Sequence, residues 1–309
     1  MIQLESTPWF IADKEDTNYC VYVDTDSNYY NAEPLLRHLC PNFDDMAEEE
    51  RDAKLEEIAL KYQDLITEYY STLAKEAFNI PTHRLEMKTE CIIRAGYFRA
   101  TRRYAQWITK KEGVPVDDLD IKGLEFMKAN FPPIFGNFFK NVLQKVIKGT
   151  PQKEIDLLLN DFRAMVLSDD MDITILGNPT RVNTLDKYIA SAPKPGEMFS
   201  IVAQGAPAPV KAAIKYNDLL AFWKLDKDHS KIVQGDKVKW IYLKDNPYRI
   251  DALAFLDFDM PEKIRKLLGQ YADKNKSFET ILESKLQGFY NDLGWDLNLN
   301  PYRNLIFSF

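Results

Sequence analysis

The chain has 309 residues, a formal net charge of −7, 45% hydrophobic and 28% charged residues. That is ample for a packed core and suits two domains. No apolar run is long enough to span a bilayer, no Walker-type or dinucleotide-binding glycine loop is present, and Met1 to Glu5 lacks the basic and apolar regions of a signal peptide. Cys20, Cys40 and Cys91 are odd in number and widely spaced, and His38, His83 and His229 have no metal-site spacing. The cysteines read as free thiols of a reducing cytoplasm, and the histidines as structural or exposed.

Met1 to Asp16 is irregular and polar apart from Trp9, Phe10 and Ile11. Apolar and aromatic β-formers then run from Tyr19 to Val23, polar turn residues follow, and Tyr29 and Tyr30 come next. The pattern predicts a hairpin over Cys20 to Tyr30 with Asp24 and Asp26 at its tip. In a strand the two carboxylates point to one face; at a tip they can converge. Brought together they repel, each raising the other's pKa, and a hard divalent cation such as Mg²⁺ removes the conflict. The plain alternative is a polar β-turn.

Asn31 to Asn42 reads as a short helix or loop. Asp44 to Glu57 is strongly acidic, as suits the positive end of a helix. Leu55, Ile58, Tyr62, Leu65, Tyr69, Leu73 and Ala77 recur at threes and fours, which predicts an amphipathic helix of about seven turns ended by Pro81. The period then becomes two. Leu85 to Tyr97 alternates apolar with charged residues and predicts a strand; Arg102 to Ile108 is a second, and Leu119 to Leu124 a third. Strands packed by one long helix make an α+β layer.

Between Cys91 and Lys111 stand Arg94, Arg99, Arg102, Arg103, Lys110 and Lys111 without an acid, interleaved by Tyr97, Phe98, Tyr104 and Trp107. Such a stripe can hold a nucleic-acid backbone. It can equally pair with the acids of the preceding helix, and the residues alone do not choose.

After Phe126 the pattern turns helical. Helices are predicted from Pro132, over Ile155 to Leu167, Thr184 to Ile189, Val210 to Leu225, Pro261 to Leu268 and Phe278 to Leu293. Ser191 to Pro209 reads as an irregular region and Val238 to Leu243 as a strand.

Tyr22-Val23-Asp24-Thr25-Asp26-Ser27 closely resembles the catalytic palm hairpin of family B DNA polymerases, aromatic–any–Asp-Thr-Asp-Ser. Arg99 to Ala105 is similar to the Lys-Lys-Arg-Tyr motif that grips the primer–template duplex in that family. It departs at Thr101, where the family has lysine, and at Arg102, since arginine and lysine are not interchangeable. Lys122-Gly123-Leu124-Glu125 resembles the Gly-x-Glu junction between palm and thumb in the phage branch. A helix with Lys211, Lys215, Tyr216 and Asn217, then Gly235-Asp236-Lys237, an apolar strand and Asn246-Pro247-Tyr248 resemble the phage-type thumb.

The resemblance implies an α+β chain. Residues 1–125 would be a partial palm and 126–309 a mainly helical thumb. Asp24 and Asp26 would be catalytic, Asp26 the direct Mg²⁺ ligand of a two-metal site with Asp24 beside it. Arg102, Arg103 and Tyr104 would line the duplex, with Lys211, Lys215, Tyr216 and Lys237 on its phosphates. Leu305, Ile306, Phe307 and Phe309 would dock a sliding clamp. In the family's order a further metal-binding Asp, the fingers and often an exonuclease precede the hairpin, yet Met1 lies only about two dozen residues before it. The resemblance therefore implies the C-terminal subunit or fragment of a split polymerase. An N-terminal chain would complete the metal site, and primer–template DNA and deoxynucleoside triphosphates would be the substrates. No membrane is involved, and the location would be the cytoplasm of a phage-infected bacterium. The rival expectations are a palm–thumb DNA-binding module without activity and an unrelated metal-binding α+β protein.

Overall fold

The computed structural model describes residues 19–24 and 26–297. It is an α+β protein that divides into two compact units, residues 1–124 and 125–309. No helix among the described residues is long and apolar enough to cross a membrane. The three cysteines are free thiols.

The first unit opens with strands β1 (Cys20–Asp24) and β2 (Ser27–Tyr30), an antiparallel pair. Helix α1 (Glu33–Leu39) and helix α2 (Glu48–Phe78) follow. Leu35, Leu36, Cys40, Phe43 and Ile58 form a small core between them. Asn79, in left-handed conformation at φ 53°, ends α2, and Pro81 lies two residues beyond. Strands β3 (Cys91–Ala100), β4 (Arg103–Lys111) and β5 (Val114–Lys122) form an antiparallel meander. Its second turn is made by Glu112 and Gly113, both at positive φ, which matches the twist of the strands it joins.

Two expectations shift here. The strand expected from Leu85 begins only at Cys91. Residues 85–90 belong to no strand, and two of their amides bond to side chains of α2: Met87 N donates to Thr67 Oγ1 at 3.3 Å and Thr89 N to Gln63 Oε1 at 2.8 Å. The third strand starts earlier than Leu119, at Val114, because the two-residue turn sets the register.

The second unit is built on phenylalanine. Helices α3 (Pro133–Ile147) and α4 (Gln152–Leu167) bring Phe138 flat onto Phe162, centroids 3.8 Å apart. Phe126 stacks on Phe139 at 4.3 Å. A short α5 (Ile173–Leu176) leads to strand β6 (Asn178–Arg181), and β7 (Ile189–Ser191) pairs with β8 (Ile201–Val202). Helix α6 (Ala208–Phe222) packs on a three-stranded antiparallel sheet of order β10-β9-β6, with β9 Lys237–Tyr242 and β10 Ala252–Phe255. Helix α7 (Glu262–Tyr271), α8 (Lys274–Phe278), a π turn over Glu279–Glu283 and α9 (Ser284–Asp292) close the unit.

The helix expected over Thr184 to Ile189 is a single tight turn, Asp186–Tyr188, running into β7. The region expected to be irregular, Ser191 to Pro209, carries the last residue of β7 and all of β8. Strand β10 is wholly buried, so it lacks the alternation by which a half-exposed strand is read.

Candidate active site

The hairpin is seated by aromatic rings. Tyr22 and Tyr29 stand opposite one another across β1 and β2, and Phe98 and Tyr104 do so across β3 and β4. The four rings pack together: Tyr22 to Tyr29 and Tyr22 to Tyr104 at 5.5 Å, Tyr29 to Phe98 at 5.7 Å, Phe98 on Tyr104 at 5.4 Å. Each such pair adds about 0.5–1.5 kcal/mol beyond its buried area. Gly96 makes room for this. A Cβ there would lie 2.6 Å from the Phe98 ring, so the missing side chain lets that ring lie along its own strand. The Tyr29 and Tyr104 hydroxyls are 3.5 Å apart, and burial, then the Tyr29 bond, pushes the Tyr104 phenol pKa up.

Asp24 is the last paired residue of β1, opposite Ser27, and Asp26 lies in the turn. Asp26 N donates to the Asp24 carbonyl at 2.6 Å and Ser27 Oγ to the same oxygen at 3.2 Å. The two carboxylates differ. Asp26 is exposed and has no protein partner among the described residues. Both Asp24 oxygens are taken by Arg102: Nε donates to Oδ2 at 3.0 Å and Nη2 to Oδ1 at 3.2 Å. Tyr22 Oη donates to Asp24 Oδ2 at 3.3 Å and accepts Arg102 N at 3.1 Å. The bond to Asp24 raises the Arg102 pKa further.

Arg102 occupies the turn between β3 and β4 at φ 60°. Its carbonyl is crossed by Gly123, itself at φ 62°, where a Cβ would sit 2.0 Å from the Arg102 oxygen. Only glycine fits this crossing. The fold thus brings together the first aspartate of the hairpin, the arginine turn and Gly123, which are 78 and 21 residues apart in sequence. No periodicity signals that link, and sequence reasoning missed it. The one available hint is that Gly123 follows directly on a strand.

The rest of the basic stripe divides. Arg94 pairs with Glu48 and, at 2.7 Å, with Asp52, and lies over the Trp107 ring; Lys110 pairs with Glu56 at 2.5 Å. These two cations bind α2 to the sheet. Arg103 and Lys111 are exposed and lack a protein partner among the described residues.

In the second unit Tyr216 is a correction. It is fully buried, and its hydroxyl donates to the Ser230 and Asp259 carbonyls, both at 3.3 Å. It holds the core and cannot reach a phosphate. Lys215 is half-buried, donates to the Ser200 carbonyl at 3.2 Å and lies 4.5 Å over the Phe199 ring; burial pushes its ammonium pKa down. Lys211 is half-buried near the start of α6, and Lys237 is exposed on β9. Asn246 is a structural pin: its amide donates to the Lys244 and Ile250 carbonyls and its oxygen accepts Tyr248 N. Leu305, Ile306, Phe307 and Phe309 lie outside the described residues.

Asp26 and Asp24 are hard oxygen donors and suit Mg²⁺. They supply at most part of an octahedral shell, and no group of three or more metal-ligating side chains occurs among the described residues. Comparison with models of known protein families and with curated proteins finds no match.

Proposed function

We propose that the chain is the palm-hairpin and thumb part of a family B DNA-directed DNA polymerase of the phage replicative type. One observation carries this reading: the Asp-Thr-Asp-Ser hairpin and the Arg102-Arg103-Tyr104 segment, each resembling a motif of that family on its own, meet at Asp24 and at the four-ring cluster. Two unrelated chance matches have no reason to converge. The pairing of Gly123 with the Arg102 turn ties the third matched segment to the same place.

In this reading Asp26 holds Mg²⁺ and Asp24 orients the hairpin through Arg102. The ion, when bound, lowers the pKa of the primer hydroxyl and neutralises charge on the leaving pyrophosphate. Arg103 of the palm set and Lys211 and Lys237 of the thumb set bind backbone phosphates. The remaining carboxylate ligand, the fingers and any exonuclease come from further polypeptide. The primer–template, deoxynucleoside triphosphates and a sliding clamp at the C-terminal tail are the other partners, in the cytoplasm of an infected bacterium. The test is primer extension with Mg²⁺. The chain by itself should extend nothing and should do so once the polypeptide carrying the missing half is added. Robust extension by the single chain would defeat the proposal.

A second reading, a palm–thumb DNA-binding module without activity, is favoured by one observation: Arg102 fills both oxygens of Asp24. Under it, Asp26→Ala changes nothing measurable.

A further inference from the structure

Strand β6 is the edge of the second unit's sheet, and Pro179 within it suits an edge. At its end Arg181 stands directly across from Lys237 of β9. Directly opposed residues of an antiparallel pair project to the same face. Both are exposed, and among the described residues neither side chain has an ion pair or a hydrogen bond. The neighbouring Asp236 makes no ion pair with either: its Oδ2 accepts Val233 N at 2.8 Å within its own turn. Lys239, two residues along the same face of β9, has Asp257 at 2.7 Å and the Thr174 carbonyl at 3.1 Å. The protein therefore pairs the nearby Lys239 and, among the described residues, leaves the two opposed cations without an ion pair.

Like charges directly opposite one another destabilise a ladder, and guarding an edge needs only one charge. An anion between them reverses the sign of that contribution. The ladder beneath is closed just past the pair, Val182 N donating to the Asp236 carbonyl at 2.9 Å and Gly235 N to the Val182 carbonyl at 2.7 Å. The two side chains thus leave a fixed backbone.

We propose that Arg181 and Lys237 form a two-cation seat for a backbone phosphate of duplex DNA. The assignment rests on the reading of the chain as a primer–template binder and adds Arg181 to it. The guanidinium offers a planar fork to two phosphate oxygens and the ammonium a point charge. Such a contact fixes register and carries no sequence preference.

The test is binding of a short fluorescent primer–template duplex by the full chain across a salt series. Wild type, Arg181→Gln, Lys237→Gln and the double variant are compared, each with a low-salt thermal melt without DNA. The double variant should lower the log–log salt slope by about one unit, the loss of one phosphate contact, and each single change by part of that, for duplexes of unrelated sequence alike. The single variants should melt at or above the wild-type temperature, since repulsion is relieved. If wild type binds and the double variant keeps its slope, the seat is overturned and the DNA reading stands. A lower melting temperature in either single variant makes the pair structural and also overturns it. Absence of duplex binding by wild type overturns the seat and the DNA reading together. If the slopes fall as expected but Asp26→Ala leaves synthesis intact, the seat stands and the catalytic reading fails.

Discussion

Gly123→Ala tests whether the Arg102 turn is held in place by a backbone crossing. The substitution meets two penalties. Alanine at φ 62° adopts the left-handed region, at a cost of about 1–2 kcal/mol. Its methyl group would also lie 2.0 Å from the Arg102 carbonyl oxygen, a backbone atom that no rotamer change can remove. Forcing such a contact apart costs typically another 1–3 kcal/mol. The sum is about 2–5 kcal/mol, which for a unit of this size lowers the melting temperature by roughly 10 °C or more. Gly149→Ala is the control: it has φ 85° and nothing within 4 Å, so it meets the conformational penalty alone, about 1–2 kcal/mol. Both variants are compared with wild type by circular-dichroism melts of the full chain. Because the clash moves the Arg102 backbone, the guanidinium should also lose its two contacts to Asp24. A Gly123→Ala chain that melts no lower than Gly149→Ala would refute the reasoning, for the crossing would then be loose.

Arg94→Ala should lower the melting temperature, because it strips Asp52 and Glu48 of their partner and uncovers Trp107, a loss of about 1–3 kcal/mol. The salt slope for DNA should not change, whereas Arg103→Ala should reduce that slope and leave the melt alone. Phe138→Ala removes a ring stacked 3.8 Å from Phe162 and should cost about 3–5 kcal/mol by urea unfolding. Asp259 is held down to a pKa of about 2, chiefly by Ser230 N and by His229. Its folded pKa is depressed, so its contribution is fully present above the unfolded value of about 4 and is lost as pH falls through about 2. Asp259→Asn should therefore flatten the stability decline between those two pH values; an unchanged acid-unfolding curve would deny the pair this role.

The elements with a clean period were legible in the sequence. The β1–β2 hairpin, α2, the β4 strand, α3, α4, α6 and β9 lie where the sequence pattern predicts, and β3 covers the second half of its predicted stretch. The failures have physical reasons. Residues 85–90 alternate in sequence, but alternation does not reveal that the amides of Met87 and Thr89 are taken by side chains of α2 rather than by a neighbouring strand. Strand β10 is buried on both faces, and β6 is a short edge strand containing proline. At the site, the motif residues could be named but not their division of labour. Asp24 and Asp26 look alike in sequence, and only the arrival of Arg102 from the β3–β4 turn separates an engaged carboxylate from an exposed one. Tyr216 stood beside lysines on a helix whose exposed face could not be told from its buried one. The basic stripe left two outcomes open, and the structure decides for two of its cations, Arg94 and Lys110, which pair with α2, while the exposed Arg103 and Lys111 do not.

The most direct test of the central claim is the primer-extension rate of the assembled polymerase carrying Asp26→Ala, with duplex affinity measured on the same preparation. Loss of a metal ligand forfeits several kcal/mol of transition-state stabilisation, so the rate should fall by about a thousandfold or more while the duplex affinity stays within about twofold. Extension at the wild-type rate by the Asp26→Ala enzyme would contradict the account.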